Sequence, residues 1–138
     1  MQVPLLNYCS PTLEVAAKPR KLLRKRILLA DDQSSVRETI NILLHLDGHT
    51  VVEAGNGVEA LALFQRDHFD LVITDFEMPK MKGNELAAKI KQILPSQPIL
   101  MVTAYAELLG DLGSSVDAVL NKPFQIEDLR LAIAKLLS

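Results

Sequence analysis

The feature that most constrains the fold is an alternation of short apolar runs with longer amphipathic segments. Each run is short enough for a β-strand and mostly apolar, which is typical of a strand covered on both faces of its sheet. The alternation therefore predicts an α/β fold, with a parallel sheet whose strands are joined by right-handed crossover helices. The runs predicted as strands span residues 26–30, 50–54, 69–75, 98–103 and 118–120.

The segments between the runs show helical periodicity and end at residues that stop helices. Ser34 or Ser35 is predicted to cap the first helix and Gly48 to end it, while Pro95 stops the third. The positions that mark the helices are Val36, Ile40, Leu43 and Leu44, then Ala60, Leu61 and Phe64, then the span 83–93, and last Ile126, Leu129, Ile133 and Leu136.

The length and the charge distribution indicate one domain behind a basic leader. A chain of 138 residues fits a single domain with a hydrophobic core. Residues 1–24 contain three prolines and are predicted to form a flexible basic leader, with residues 25–138 as the domain. The net charge is +5 over residues 1–26 and −7 over the remainder. The leader could attract nucleic acid, anionic lipid or an acidic partner, but a solvated leader is the simpler interpretation.

Several classes of protein are excluded by composition. No apolar stretch approaches the roughly 18 residues of a membrane helix, and the first residues lack the pattern of a secretory signal. The one cysteine, Cys9, excludes an internal disulfide framework and a cysteine metal cluster. The three histidines share no metal-ligand spacing. A reducing cytoplasm is the expected location.

Five polar residues follow or end four of the predicted strands. Asp31 and Asp32 follow the first strand, Asp75 and Thr103 end the third and fourth, and Lys122 follows the fifth. The carboxyl ends of parallel strands form the crevice in which ligands of such folds bind. The sequence therefore predicts one site with three carboxylates, a hydroxyl and an ammonium.

The predicted site combines groups that suit phosphoryl transfer. Three converging carboxylates repel one another unless a cation or a proton intervenes. Oxygen ligands without histidine or cysteine favour Mg2+ over Zn2+, and Mg2+ completes its coordination with water and phosphate oxygens. An aspartate can act as a nucleophile and form an aspartyl-phosphate. Lys122 and Thr103 supply an ammonium and a hydroxyl for the phosphoryl oxygens.

Together the motifs of this chain resemble the receiver domain of two-component response regulators. The motifs are Asp31-Asp32, the stretch Asp75-Phe76-Glu77-Met78-Pro79, Thr103-Ala104 and Lys122-Pro123-Phe124, and the resemblance covers residues 25–138. It implies a flavodoxin-like, doubly wound (βα)5 fold with strand order 2-1-3-4-5, for which this family is itself a standard example. It also implies a phosphoacceptor signalling domain, whose only catalysis is its own phosphorylation and dephosphorylation.

The resemblance implies a role for each site residue. Asp75 would accept a phosphoryl group from the phosphohistidine of a sensor histidine kinase or a histidine phosphotransfer protein. The implied Mg2+ ligands are Asp31 through water, Asp32, Asp75 and the backbone carbonyl of Glu77. The implied phosphoryl-binding residues are Thr103 and Lys122. The Lys122–Pro123 peptide bond is expected to be cis.

Departures from the family pattern concern the expected conformational switch. The position three residues before the lysine, where the family has Tyr or Phe, is Val119, which cannot swing a ring inward. Tyr105 is a candidate substitute for this ring, but the favoured role of Tyr105 and Glu77 is to tune the access of water to the phosphorylation site. The segment between Thr103 and Lys122 contains two glycines, so its helix is expected to be short or mobile and to become ordered on phosphorylation.

Four functional interpretations are compared on the sequence. The leading one is a stand-alone receiver without a DNA-binding domain, which binds a downstream protein, forms a homodimer through its 104–138 face or relays the phosphoryl group. The alternative is a receiver module of a longer multidomain regulator or hybrid kinase. A phosphatase with an aspartyl-phosphate intermediate would have a general acid at the position of Glu77, but its nucleophile would lie on the first strand. A receiver that no longer accepts phosphate is disfavoured because all five site residues are present.

Overall fold

The protein is a five-stranded parallel sheet covered by helices, described by a computed structural model over residues 24–109 and 115–138. The elements are β1 Arg26–Ala30, α1 Ser34–Leu46, β2 Thr50–Ala54, α2 Gly57–Arg66, β3 Leu71–Thr74, α3 Gly83–Ile93, β4 Ile99–Thr103, α4 Ala106–Leu109, β5 Ala118–Asn121 and α5 Ile126–Leu137. The strand order is β2-β1-β3-β4-β5, so the predicted doubly wound α/β fold is confirmed. Residues 1–23, which hold almost all of the predicted leader, and 110–114 lie outside the described residues.

The predicted bounds of the elements match the structure closely, with one local error. β1, β2 and α3 occupy the predicted residues. β3 is shorter than predicted at both ends and stops at Thr74, so that Asp75 follows it. β4 begins one residue later, at Ile99, and β5 extends one residue further, to Asn121. Gly48 follows α1 with a φ of 91°, the left-handed conformation that ends helices. The predicted serine cap of α1 is wrong, because the N-cap residue is Gln33 and its side chain makes no capping hydrogen bond. The Gln33 backbone N–H donates instead to the Asp31 carboxylate at 2.9 Å.

Two hydrophobic clusters fix the sheet between its helices. Along β1, Ile27 and Leu29 pack with α1 and α5, whereas Leu28 and Ala30 pack with α2 and α3. Burying one such large aliphatic side chain stabilises the fold by roughly 1.5–3 kcal/mol. Both clusters hold the same central strands, so the loops at the carboxyl edge of the sheet start from well-fixed positions. In the described parts of the chain, no helix is long and apolar enough to span a bilayer.

His49 is a buried histidine just before β2, and it makes the stability pH-dependent. Its Nδ1 accepts a hydrogen bond from the Lys25 backbone N–H at 3.1 Å, and burial lowers its pKa from the ordinary 6.5. Near pH 6.5 the His49 imidazole therefore binds more protons in the unfolded chain than in the folded chain. We expect the contribution of His49 to the free energy of unfolding to fall between pH 7.5 and 5.5, by at most about 1.4 kcal/mol per pH unit.

Urea unfolding at three pH values across this range measures the effect. We expect His49→Gln to lose this part of the pH dependence, while the control His68→Gln keeps it, since His68 is exposed. The same pH dependence in His49→Gln as in the unmodified chain would contradict the prediction.

Candidate functional site

The acidic cluster forms where β1 and β3 lie side by side. Ala30 pairs with Thr74 in the sheet, so the residues that follow the two strands, Asp31 and Asp75, emerge at the same edge. Carboxylate oxygens of Asp31, Asp32 and Asp75 lie within 4.8 Å of one another. Asp31 and Asp75 are buried, whereas Asp32 is exposed. The structure therefore brings together the three carboxylates that the strand ends predict.

Lys122 joins the two buried carboxylates. Its Nζ lies 3.0 Å from Oδ2 of Asp31 and 3.3 Å from Oδ2 of Asp75. The lysine side chain is only 14% exposed. Its ammonium therefore offsets the repulsion between the two carboxylates, which burial would otherwise make costly.

Backbone N–H groups orient the other oxygens of the buried carboxylates. Oδ1 of Asp31 accepts from Gln33 N–H at 2.9 Å, and Oδ1 of Asp75 accepts from Phe76 N–H at 2.7 Å. Within residues 24–109 and 115–138, the His, Cys, Asp and Glu side chains that could hold a metal ion at this site are the three carboxylates. Such an all-oxygen set, with one carboxylate open to solvent, is compatible with Mg2+, which keeps several waters.

The environment of Asp75 makes its carboxyl less acidic than an exposed one. Burial raises the pKa of Asp75 above its ordinary value of 3.8. The Lys122 ammonium lowers this pKa and the Asp31 carboxylate raises it, with a net upward direction. A carboxylate with a raised pKa is more basic, which favours a nucleophilic role.

We expect Asp75→Asn to stabilise the protein at pH 7.5 in the absence of Mg2+. Because the folded pKa of Asp75 is raised, the charged carboxylate disfavours the folded state at pH values above 3.8 and most strongly above the folded pKa. The amide keeps the shape and removes the charge, so the free energy of unfolding should rise by about 1 kcal/mol. Urea unfolding at pH 7.5 and at about pH 4 measures the gain, which should shrink at the lower pH.

The exposed Asp32 supplies the control for this prediction. Asp32→Asn should change the free energy of unfolding by less than about 0.5 kcal/mol. An Asp75→Asn protein that is less stable than the unmodified chain at neutral pH would show that the carboxylate stabilises the fold.

Thr103 lies at the end of β4, on the same edge of the sheet. It is fully buried, its hydroxyl oxygen accepts from Tyr105 N–H at 3.1 Å, and its carbonyl accepts from Lys122 N–H at 2.9 Å. The Tyr105 side chain is 45% exposed. The Lys122–Pro123 peptide bond is cis, as the resemblance implies.

Glu77 lies in the loop after Asp75 with an exposed side chain. Its Oε2 is 3.5 Å from the Nζ of Lys82, and the same ammonium lies 5.4 Å from the centre of the Phe76 ring. Lys82 thus lies near two neighbouring side chains of this loop. An ion pair this exposed contributes little to stability.

The position of the expected aromatic switch faces solvent. Val119 lies on β5 opposite Met101 of β4 and is 42% exposed. The preceding helix, α4, spans Ala106–Leu109 within the described residues, and residues 110–114 fall outside them. The described part of this helix is therefore one turn long.

Two residues of the site were not predicted from the sequence. Arg37 of α1 donates from its guanidinium to the backbone carbonyl of Asp31. Gly83, the first residue of α3, lies so close to Asp75 that a Cβ would overlap its carbonyl oxygen. A basic residue soon after the acidic pair was the available signal for Arg37, whereas no local pattern identifies Gly83.

The fold and the site together define a class of protein. It is a doubly wound α/β domain with an acidic crevice at the carboxyl edge of the sheet, beside a lysine whose side chain is mostly buried. The model of the response regulator receiver domain family matches residues 27–134. The chain therefore belongs to this family, the receiver domains of two-component systems.

Relatives and solved structures agree with this assignment. The response regulator receiver protein CpdR of Brucella abortus (strain 2308) is 39% identical over 116 residues, which are 82% of this chain and 97% of that protein. The response regulator MprA of Mycobacterium leprae (strain TN) is 36% identical over 115 residues, 81% of this chain and 50% of MprA, so the chain spans about half its length. A crystal structure of the response regulator TrrA from Thermotoga maritima, in complex with Mg(2+)-BeF, is similar at 36% identity and a TM-score of 0.78, over 82% of this chain and 99% of TrrA.

Proposed function

We propose that this receiver domain accepts a phosphoryl group on Asp75, with Mg2+ bound, and that the modified form changes its protein partners. The phosphoryl donor would be the phosphohistidine of a sensor histidine kinase or a histidine phosphotransfer protein. The observation that carries the proposal is the buried Asp75 carboxylate, 3.3 Å from the Lys122 ammonium and within 4.8 Å of carboxylate oxygens of Asp31 and Asp32. A chain with a single cysteine suits the reducing cytoplasm in which we propose that it acts.

The proposed step is an in-line displacement at phosphorus. A carboxylate oxygen of Asp75 attacks, an O–P bond forms, the P–N bond to histidine breaks, and the histidine nitrogen keeps the electron pair. Phe76 N–H and Lys122 hold the carboxylate in place before the attack. Thr103, buried at the same edge, would donate its hydroxyl hydrogen to a phosphoryl oxygen. Loss of the group would be a second displacement at phosphorus, in which water attacks, the O–P bond to Asp75 breaks, and the carboxylate and inorganic phosphate are released.

The proposed Mg2+ ligands are Asp32 directly, Asp31 through water, Asp75 and the backbone carbonyl of Glu77. When bound, Mg2+ supplies positive charge for the phosphoryl oxygens. The three carboxylates support this assignment through their proximity, and the TrrA structure in complex with Mg(2+)-BeF supports it for a relative. Lys122 would then be free to pair with the transferred group, because the ion takes over its role of offsetting repulsion between the carboxylates.

We propose that Glu77 and Tyr105 tune how long the phosphoryl group lasts. The Glu77 side chain is held near Lys82 at 3.5 Å, and Tyr105 follows the phosphoryl-binding Thr103 by two residues with its ring partly exposed. Both side chains could therefore control the approach of water. The pairing of Glu77 with Lys82 gives no support to a general-acid role in a phosphatase.

The output surface that we propose is the face formed by residues 104–138. Tyr105, Val119 and Ile126 expose apolar area there, which favours a protein partner or a second copy of the chain. Because Val119 cannot act as an aromatic switch, we propose that the segment 104–118 becomes ordered instead, although residues 110–114 of that segment lie outside the described ranges. The match covers 97% of CpdR but only 50% of MprA. The domain could therefore act alone, as a protein about as long as CpdR, or within a longer regulator.

The test exposes the chain to a small phosphodonor, and separately to beryllofluoride, with and without Mg2+. Asp75→Asn is the test variant and Asp67→Asn, an exposed carboxylate at the other edge of the sheet, is its matched control. We expect Mg2+-dependent gain of one phosphoryl mass and amide NMR shifts in the unmodified chain and in Asp67→Asn, both lost in Asp75→Asn. Modification that persists in Asp75→Asn would reject the assigned phosphoacceptor, and its absence from every form would reject phosphorylation.

A further inference from the structure

Arg37 lies in the first turn of α1 and its side chain reaches back to the acidic loop. Its Nη1 donates a hydrogen bond to the backbone carbonyl of Asp31. This carbonyl belongs to the planar peptide group that joins Asp31 to Asp32. The hydrogen bond therefore restrains the orientation of the peptide between two of the three clustered carboxylates.

Arg37 is itself held in place from a neighbouring strand. Its Nε is 2.9 Å from Oε1 of Glu53 on β2, and Asn41 donates to the other oxygen, Oε2, at 2.7 Å. The Arg37 side chain is largely buried, at 21% exposed. Its rigid, planar guanidinium contacts the Glu53 carboxylate through Nε and the Asp31 carbonyl through Nη1. The single ammonium of lysine does not reproduce this geometry.

The restrained peptide matters most for Asp32. Asp31 is held by several other bonds, from its N–H to the Ala54 carbonyl at 3.1 Å and from Gln33 N–H to its carboxylate at 2.9 Å. The Asp32 side chain is exposed, so its direction depends on the peptide that precedes it. Rotation of that peptide would turn the Asp32 carboxylate away from those of Asp31 and Asp75.

We propose that Arg37 is a positioning residue for Mg2+, which holds the Asp31–Asp32 peptide so that both carboxylates face the same ion. This inference rests on the Mg2+ site of the proposed function. Groups that orient metal ligands from outside the coordination sphere change metal affinity by roughly 10- to 100-fold when they are removed. Arg37 acts through one backbone carbonyl, so we expect an effect on the order of tenfold.

The sign of the effect separates positioning from simple electrostatics. Arg37→Met removes a positive charge near a cation site and leaves the Glu53 carboxylate with its hydrogen bond from Asn41 but without its ion-pair partner. The surroundings become more negative by one charge, so charge alone predicts tighter binding of Mg2+. The loss of the hydrogen bond to the Asp31 carbonyl predicts weaker binding. Arg37→Lys keeps the charge and loses the planar fork, so positioning predicts that it also binds Mg2+ more weakly than the unmodified chain.

The experiment measures Mg2+ dissociation constants by amide NMR titration with MgCl2 for the full chain and its variants. The matched control is Arg130→Met, because Arg130 makes an ion pair of the same length, 2.9 Å, with Asp47 at the far end of α1. We expect the dissociation constant to rise by about tenfold in Arg37→Met, to rise less in Arg37→Lys, and to be unchanged in Arg130→Met. In metal-free protein, 15N relaxation should show a lower order parameter for the Asp32 amide in Arg37→Met than in the unmodified chain and in Arg130→Met.

The outcomes distinguish failure of the Arg37 positioning role from failure of the Mg2+ site in the proposed function. An Arg37→Met protein that is folded and binds Mg2+ as tightly as the unmodified chain, or more tightly, overturns the positioning role and leaves the proposed function intact. Equal order parameters for the Asp32 amide in Arg37→Met and in the unmodified chain also overturn the positioning role. If the unmodified chain does not bind Mg2+, the metal site of the proposed function is wrong and the positioning role falls with it.

Discussion

Gly83→Ala is expected to lower the free energy of unfolding by about 3 kcal/mol or more. A Cβ on Gly83 would lie 1.9 Å from the carbonyl oxygen of Asp75 and 2.9 Å from its carbonyl carbon. Both are backbone atoms, so no change of side-chain rotamer relieves the overlap. The Gly83 N–H also donates to the Phe76 carbonyl at 2.8 Å, which ties the start of α3 to the same loop. Relief of the overlap therefore requires α3 or the loop that carries Asp75 to move.

Urea unfolding of Gly83→Ala and Gly55→Ala tests this steric argument. Gly55 is the matched control, because its Cβ would meet only side-chain atoms of Arg37 and Glu59, at 3.7 and 3.9 Å. Gly55→Ala should therefore change the stability by less than about 0.5 kcal/mol. We also expect Gly83→Ala to weaken the amide shifts induced by beryllofluoride, since Asp75 moves with its carbonyl. Equal stability of the two variants would rule out the close approach of α3 to this loop.

The fold could be predicted from the sequence because burial imposes a local pattern on each element. β1 and β3 are covered on both faces and are therefore continuous apolar runs, whereas α5 is covered on one face and shows helical spacing. The order of the strands could not be obtained from periodicity. It followed from the resemblance, because which strands pair depends on contacts between residues that are distant along the chain.

The site could be predicted to the extent that strand ends determine it. Asp31 and Asp75 each follow a buried strand, and parallel strands place such residues at one edge. The contacts between elements could not be predicted, because the hydrogen bond from Arg37 depends on how α1 packs against β2. The capping error has a related cause, since the Asp31 carboxylate binds the Gln33 N–H and α1 begins after Gln33 without a serine cap.

Lys122→Met is expected to destabilise the protein by about 3 kcal/mol at pH 7.5 without Mg2+, because it leaves two buried carboxylates without their cation. The two oxygens concerned, Oδ2 of Asp31 and of Asp75, lie 3.0 and 3.3 Å from the lysine Nζ. The pKa of Asp75 is already raised and should rise further once the ammonium is absent. An acid with a raised folded pKa disfavours folding above that pKa and ceases to do so as the pH falls toward 3.8. The deficit should therefore shrink between pH 7.5 and about pH 5.

Mg2+ and a second substitution identify the cause of this deficit. Mg2+ should stabilise Lys122→Met more than the unmodified chain, because the ion restores positive charge between the carboxylates. Adding Asp75→Asn should recover part of the stability, because only one buried carboxylate then lacks its cation. The control is Lys91→Met at the opposite edge of the sheet, where Lys91 pairs with Asp117 at 2.9 Å in a more exposed setting. Its loss should be near 1 kcal/mol and insensitive to Mg2+. The contrary result is a loss in free energy of unfolding in Lys122→Met that is unaffected by Mg2+, by lower pH and by Asp75→Asn. That result would mean that Lys122 stabilises the fold by packing and not by its charge.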